Sequence, residues 1–269
     1  MLGAVFGDIV GSTYEWHNVK RKDFPLRTPF TRYTDDSVMT LAVAQWLVED
    51  SGHSKEKLVK CMQRLGREHL NAGYGGRFFQ WLTSANPQPY NSWGNGSAMR
   101  VSPVALYAST LEEALSLAKT TAEVTHDHPE GIKGALAVAE CVFICKTATS
   151  IEVAKDEIRR TIPQKYGYDL NQTLDEIRPR YQFDVSCQGS VPEAIIAFLE
   201  STSLEDCVRN AISIGGDSDT IAAIACSIYA TKNSQEDDEL MKQFDAYLSP
   251  DLRDIMIQFE QKTKDGQEV

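Results

Sequence analysis

Two acidic stretches carry the chemistry that stands out in this chain. Tyr33-Thr34-Asp35-Asp36-Ser37 precedes the apolar run Val38 to Val48, and Gly215-Gly216-Asp217-Ser218-Asp219-Thr220 precedes Ile221 to Cys226. Carboxylates flanked by hydroxyls are the oxygen donors that hard divalent cations take. Thr34, Asp35 and Asp36 form one such set, and Asp217, Asp219 and Thr220 the other. Asp35 and Asp217 lie 182 residues apart, so only the fold can bring the sets together. Four carboxylates gathered at close range repel one another unless a cation stands between them, and a two-metal centre would resolve that. Either motif alone also reads as a helix cap, since Asp, Ser and Thr pair with the free amides and positive dipole of a helix N-terminus. Two acids per mouth exceed what a cap needs. The Gly215-Gly216 pair also implies a backbone approaching something closely.

Between these motifs lie further candidates. Asp8 and Glu15 stand in the opening segment and read equally as functional acids or as solvated and salt-bridged ones. His126 and His128, just before Pro129, suit either a phosphate or ribose hydroxyl or an ordinary hydrogen-bonded loop. Asn95-Gly96-Ser97-Ala98-Met99-Arg100 is a small-residue turn feeding a helix N-terminus, where exposed amides attract anions, and Arg100 adds weight to a phosphate cradle. Gly75 and Gly76 belong to the glycine-rich loop Asn71 to Arg77, which can line a cleft. Arg77 there is a second anion contact or a salt-bridge partner.

The elements that must position these groups read as helices. Gly3, Gly7 and Gly11, spaced by four within Leu2 to Trp16, let a first helix lie close against another backbone. A second follows Asp36, and Ser54 opens a third to about Leu70. Thr110 and Glu113 fit a capping box opening a helix to about Val124. Gly131 to Lys146, Ile151 to Arg160 and Val191 to Glu200 are helical, and Ser203 starts the helix that delivers Gly215-Gly216. Ser249-Pro250 has the signature of a last helix. The stretch from Thr161 to Gln182, with Pro163, Gly167 and Pro179, reads as a loop-rich excursion with one short helix near Leu174. Alternating β patterns are almost absent, the shortest candidate being Phe183 to Val185. The expectation is an all-α fold of ten or more helices in a single domain, residues 1–269, frayed over 263–269.

The 269 residues include 42% hydrophobic and 24% charged side chains, ordinary for a globular protein. A net charge of −11 argues against a nucleic-acid face and suits cation binding. Six cysteines without a CxxC pair read as reduced core residues, with Cys141 and Cys145 one helical turn apart and no partners to complete a zinc site. Leu2 to Phe6 lacks a basic flank and is followed by Asp8, so it makes a poor signal peptide. No apolar run reaches the roughly 20 residues that span a membrane. A cytoplasmic setting is expected, and oligomeric state is left open.

Taken together, Gly3 to Ser12 through Glu15, Tyr33 to Ser37, Gly94 to Arg100, Thr125-His126 and Gly215 to Thr220 resemble the ADP-ribosylglycohydrolase family, which includes dinitrogenase reductase-activating glycohydrolase and ADP-ribosylarginine hydrolases. The resemblance spans residues 3 to 220. It implies a compact orthogonal multi-helix domain with two divalent cations, Mg²⁺ or Mn²⁺, held by Thr34, Asp35, Asp36, Asp217, Asp219 and Thr220. It implies ADP-ribose with its distal ribose over the metals and its diphosphate along Asn95, Gly96, Ser97 and Met99, His126 at its flank, and Gly75, Gly76 and the Ser186 to Ser190 turn completing the cleft. The activity implied is hydrolysis of the glycosidic bond joining ADP-ribose to an acceptor. Asp35 or Asp36 would orient the attacking water, and Glu15 would be the proton donor or a metal-gating ligand. The acceptor is open among arginine, serine, another side chain, a nucleic-acid base and a free conjugate, and nucleic acid enters only as such a substrate. A catalytically silent ADP-ribose-binding module would lack metal ligands. A two-metal phosphohydrolase would bring histidine into the metal set.

Overall fold

The computed structural model describes residues 2–265, and among them there is no β-strand. The first helices are α1 (Leu2–Gly11), α2 (Asp35–Glu49), α3 (Lys55–Glu68), α4 (Gly76–Thr83), α5 (Gly96–Met99), α6 (Ser102–Tyr107) and α7 (Leu111–Glu123). They are followed by α8 (Pro129–Thr147), α9 (Ile151–Tyr166), α10 (Leu174–Ile177), α11 (Cys187–Leu199), α12 (Leu204–Ser213), α13 (Ser218–Tyr229), α14 (Gln235–Lys242) and α15 (Pro250–Asp265). None is long and apolar enough to cross a membrane.

A helix apolar on all sides must sit inside, because no face can be given to water. That condition holds for α2, whose Val38 to Ala44 are all buried, and for α13, which is buried from Ser218 to Tyr229. These are the two helices that begin with the acidic motifs, so burying them carries both N-termini into the interior. The glycine row of α1 then docks on α13. A Cβ on Gly3 would lie 2.2 Å from the Cys226 carbonyl oxygen, one on Gly7 2.2 Å from that of Ala222, and one on Gly11 2.5 Å from Asp219 Cα. Only hydrogen fits at these positions. All six cysteines are buried free thiols.

Several local expectations change. Thr110 accepts the Glu113 N–H at 3.2 Å, but the Glu113 carboxylate takes the Ser109 amide at 2.8 Å, one residue before the cap, so the reciprocal half of the capping box is displaced. Pro163 does not end α9. The helix runs on to Tyr166 and stops at Gly167, whose φ of 71° is the left-handed C-cap that glycine adopts without strain. Ser186 to Ser190 is no free turn: Ser186 caps α11 by accepting the Gly189 amide at 3.1 Å, and the next residues form its first turn. Phe183 to Val185 forms no strand, and only the bridge between Gly94 and Ser186 follows it. At the end, α15 keeps 263–265 helical where fraying is expected. The remainder of that stretch, 266–269, lies outside the described residues.

Candidate active site

Docking α1 on α13 places Asp8 beneath the start of α2. Its carboxylate accepts the Thr34 amide at 2.9 Å, the Thr34 hydroxyl at 2.6 Å, the Ser37 amide at 3.0 Å and the Ser37 hydroxyl. Four donors fill the roughly four lone-pair sites of a carboxylate. Asp8 is therefore a brace that holds the first acidic mouth in shape, with its negative charge at the positive end of α2. Sequence spacing leaves this role unresolved, because the cap is borrowed from another helix.

The two mouths meet. Thr220 donates its hydroxyl to Asp36 Oδ2 at 3.1 Å, a contact between residues 184 apart in the chain. Carboxylate oxygens of Asp8, Asp36 and Asp219 lie within 4.8 Å of one another, and so do those of Glu15, Asp217 and Asp219. Asp219 belongs to both groups and sits between them. Asp217 is aimed by Asn95, whose amide donates to Oδ2 at 2.6 Å. Asp35 lies outside both groups. Its amide bonds the Ala72 carbonyl at 2.9 Å, and its carboxylate lines the cleft beside Gly73 and Tyr74. The hydroxyl of Thr34 is turned to Asp8 rather than toward Asp219.

Six acids in one buried place are electrostatically unfavourable without a counter-charge. Among the described residues none of them forms an ion pair with Lys or Arg. Burial, and then mutual repulsion, holds Asp36 and Asp219 well above the carboxylate range and raises Asp35 to about 8. Glu15 is pushed up to about 7 by burial and then by Asp217. Asp36 Oδ1 is buried with no hydrogen-bond partner. An all-oxygen donor set with an orphaned carboxylate oxygen fits a hard divalent cation.

A pH dependence follows. An acid whose folded pKa is raised stabilises the fold fully only below its unfolded value, near 4, and loses that contribution as pH rises through the folded value. Chelator-treated protein is thus expected to lose stability, on the order of a few kcal/mol, between about pH 4 and 8. Mg²⁺ or Mn²⁺ should raise Tm more at pH 8 than at pH 5.5. Thermal melts at the two pH values, with and without metal, check this, and an equal shift at both would count against a cation between these acids.

The opposite wall is the turn at Asn95–Met99. The Asn95 amide bonds the Val185 carbonyl at 2.8 Å, fixing the turn against the loop before α11. Ser97 turns its hydroxyl away from the cleft, to the Gly131 carbonyl at 2.7 Å, so its side chain is not a ligand contact. What Gly96 and Ser97 offer is their first-turn amides, which have no intrahelical acceptor. Met99 lines the cleft. His126 lies under Gly96, where burial and then Arg100 hold its pKa well below the ordinary value, so the ring is neutral. Its Nδ1 is 2.7 Å from Thr125 Oγ1, which itself accepts from Arg100 at 2.7 Å. Nδ1 is thereby engaged by Thr125, and Nε2 is the ring nitrogen that lies toward Gly96.

The basic groups take protein partners, and for His128 this is the hydrogen-bonded alternative. Arg100 is fully buried and its terminal nitrogens donate to the Gly96 and Thr121 carbonyls, each at 2.8 Å, and to Thr125, so it supports the turn from behind, while its Nε has no partner. Arg77 forms no salt bridge; it donates to the Tyr90 carbonyl at 2.6 Å and lies 4.9 Å above that ring. His128 caps α8 by accepting the Glu130 amide at 3.1 Å and does not line the cleft. Gly75 and Gly76 do line it, and a Cβ on either would meet nothing within 4 Å. The resulting cleft measures about 560 Å³, within the range of small-molecule sites. Tyr74, Tyr90 and the stacked pair Trp16 and Phe183, 5.9 Å apart, complete its walls. The only sequence signal for them is aromatic character, Trp16 beside Glu15 and Tyr74 within the glycine-rich loop.

Such a site defines an all-helical protein that gathers carboxylates from distant helix N-termini around one polar ligand. The chain belongs to the ADP-ribosylglycohydrolase family, whose sequence model matches residues 1–233. Members are hydrolases that act on glycosidic bonds of ADP-ribosylated substrates, and this chain is an enzyme of that class. It is 26% identical to the ADP-ribosylhydrolase ARH3 of Mus musculus, over 85% of this chain and 81% of that one. It is 23% identical to the ADP-ribosyl-[dinitrogen reductase] glycohydrolase of Rhodospirillum rubrum, over 83% and 81%. A solved structure described as an ADP-ribosylglycohydrolase-related protein complex superposes with a TM-score of 0.70 at 21% identity, covering 97% of each chain, and so shares the fold.

Proposed function

We propose that this enzyme releases ADP-ribose from a conjugated acceptor at the cleft between the two acidic helix mouths, with two divalent cations as cofactor. The observation that carries the reading is the convergence of Asp36, Asp217, Asp219 and Glu15 at one end of a cleft whose other wall is the Asn95–Met99 turn with His126 beneath it. Asp36 and Asp219 would hold one cation, and Glu15, Asp217 and Asp219 the other, with Asp35, Thr34 and Thr220 at their margins. When bound, such ions supply Lewis acidity toward the sugar oxygens and the attacking water. The protein contributes the rest. Free amides of Gly96 and Ser97 donate to the diphosphate oxygens, Met99 packs beside them, and neutral His126 offers an N–H to a ribose hydroxyl. Asp35 or Asp36 orients the water. Glu15, raised to about 7 in the metal-free site, suits proton donation to the leaving acceptor near neutral pH.

The test is incubation with Mg²⁺ or Mn²⁺ and a panel of arginine- and serine-linked ADP-ribosyl peptides, following free ADP-ribose. Release that disappears with chelator is the expected result. Binding without release would instead identify a silent binding module, and phosphate release without ADP-ribose a phosphohydrolase.

A further inference from the structure

Glu15 and Asp217 bring carboxylate oxygens within 4.8 Å of each other, yet each stands on irregular backbone. Glu15 lies beyond the end of α1, and Asp217 follows Gly215 and Gly216, both with left-handed φ of 75° and 73°. A glycine pair is the most conformationally free linkage available, so nothing in that dipeptide itself fixes where Asp217 points. Asn95 holds the Asp217 carboxylate itself, and the backbone leading into it is restrained by Asn18. Its Nδ2 donates to the Tyr14 carbonyl at 2.7 Å, the Glu15 carbonyl at 2.8 Å and the Gly216 carbonyl at 3.0 Å, while its Oδ1 accepts the Gly216 amide at 2.7 Å. One side-chain amide therefore pairs with both backbone groups of Gly216, as a neighbouring strand would, and grips the peptide carrying Glu15. Asn18 and Gly216 are 198 residues apart in sequence.

We infer that Asn18 is a positioning residue that sets the Glu15 to Asp217 geometry and thereby the affinity and reactivity of the site. This rests on the functional reading above only for its catalytic consequence. Asn18 touches neither carboxylate and lies at the exposed surface, so it acts through the backbone of the residues it holds. Lys20 stands beside it as a natural comparison. Its ammonium bonds the Tyr181 carbonyl at 2.7 Å and the Ile214 carbonyl at 2.5 Å, on the outside of the same glycine turn, without touching Gly216 or the Glu15 peptide.

Four measurements on Asn18→Ala, with Lys20→Met alongside, test the inference. Amide hydrogen exchange over residues 212–218 is expected to quicken at least about tenfold in Asn18→Ala, since the Gly216 N–H loses its acceptor. The Mn²⁺ dissociation constant from calorimetric titration should rise about tenfold, and kcat for ADP-ribose release should fall roughly 10- to 100-fold with KM within about threefold. Tm should move by no more than about 2 °C, because the residue is exposed. Unchanged exchange and unchanged Mn²⁺ affinity would overturn the inference, as would equal effects in Lys20→Met, which would assign them to general fastening of the loop. If the wild type frees no ADP-ribose, the functional reading falls, while exchange and Mn²⁺ titration still decide the role of Asn18.

Discussion

Replacing Asp35 and Asp36 together by Asn is expected to lower ADP-ribose release by at least about 10³-fold, a loss of about 4 kcal/mol of transition-state stabilisation, while the helical circular dichroism stays intact. Asp36 lies in the group with Asp219 that is proposed to hold a cation, and Asp35 lines the cleft at the same mouth. The substitution also has a signature that separates function from folding. Both acids are held above the carboxylate range by burial first and then by Asp8 and other site acids. Asn carries no charge to desolvate or repel, so the metal-free double variant should melt at a higher temperature than the metal-free wild type at pH 8. Inactivity joined to added stability is the expected pattern where a site stores unfavourable electrostatics for use. Steady-state release assays and melts of the same samples decide it, and retained turnover would defeat the assignment.

The second large effect lies outside the cleft. Gly7→Ala should destabilise the protein by about 2–4 kcal/mol, as overpacking between two rigid backbones does. The new methyl would lie 2.2 Å from the Ala222 carbonyl oxygen, 2.4 Å from its carbon and 2.7 Å from the Ala223 amide nitrogen. All three are backbone atoms in a buried helix, so no rotamer change relieves the clash and α1 must move off α13. Asp8 stands next to Gly7 and Asp219 lies on α13, so the separation should also weaken Mn²⁺ binding. Ser12→Ala, a change at another buried position of the α1 end that introduces no clash, should cost far less. Urea denaturation of the three proteins, with Mn²⁺ titration of each, measures both consequences. Wild-type stability in Gly7→Ala would mean that the close approach of α1 and α13 is not what sets the site.

The helices themselves were readable because their signals are local. Ser54 and Ser203 each accept an amide of the first helical turn, a pairing that needs only the next few residues; Ser234 does the same for α14, a helix not expected from the sequence. The misplaced boundaries have equally local causes overridden by packing. Pro163 was a plausible helix end, but it sits where the chain continues to the left-handed stop at Gly167. The glycine spacing in α1 announced a close contact without naming its partner.

By itself the sequence determined that two apolar helices would begin with acids and that a small-residue turn and a histidine would lie between them in the chain. Burial follows from that composition, and with it the inward direction of both mouths. Tertiary structure alone decided the pairings: Asp36 with Thr220, Asp217 with Asn95, Asp8 under Thr34 and Ser37, and Asn18 against Gly216. It also turned Ser97, Arg100 and His128 to other partners. The physical reason is range. A cap or a helical face is set within one or two turns, whereas the partner of a buried polar group is set by whichever helix is packed against it, and that choice is made by the whole core.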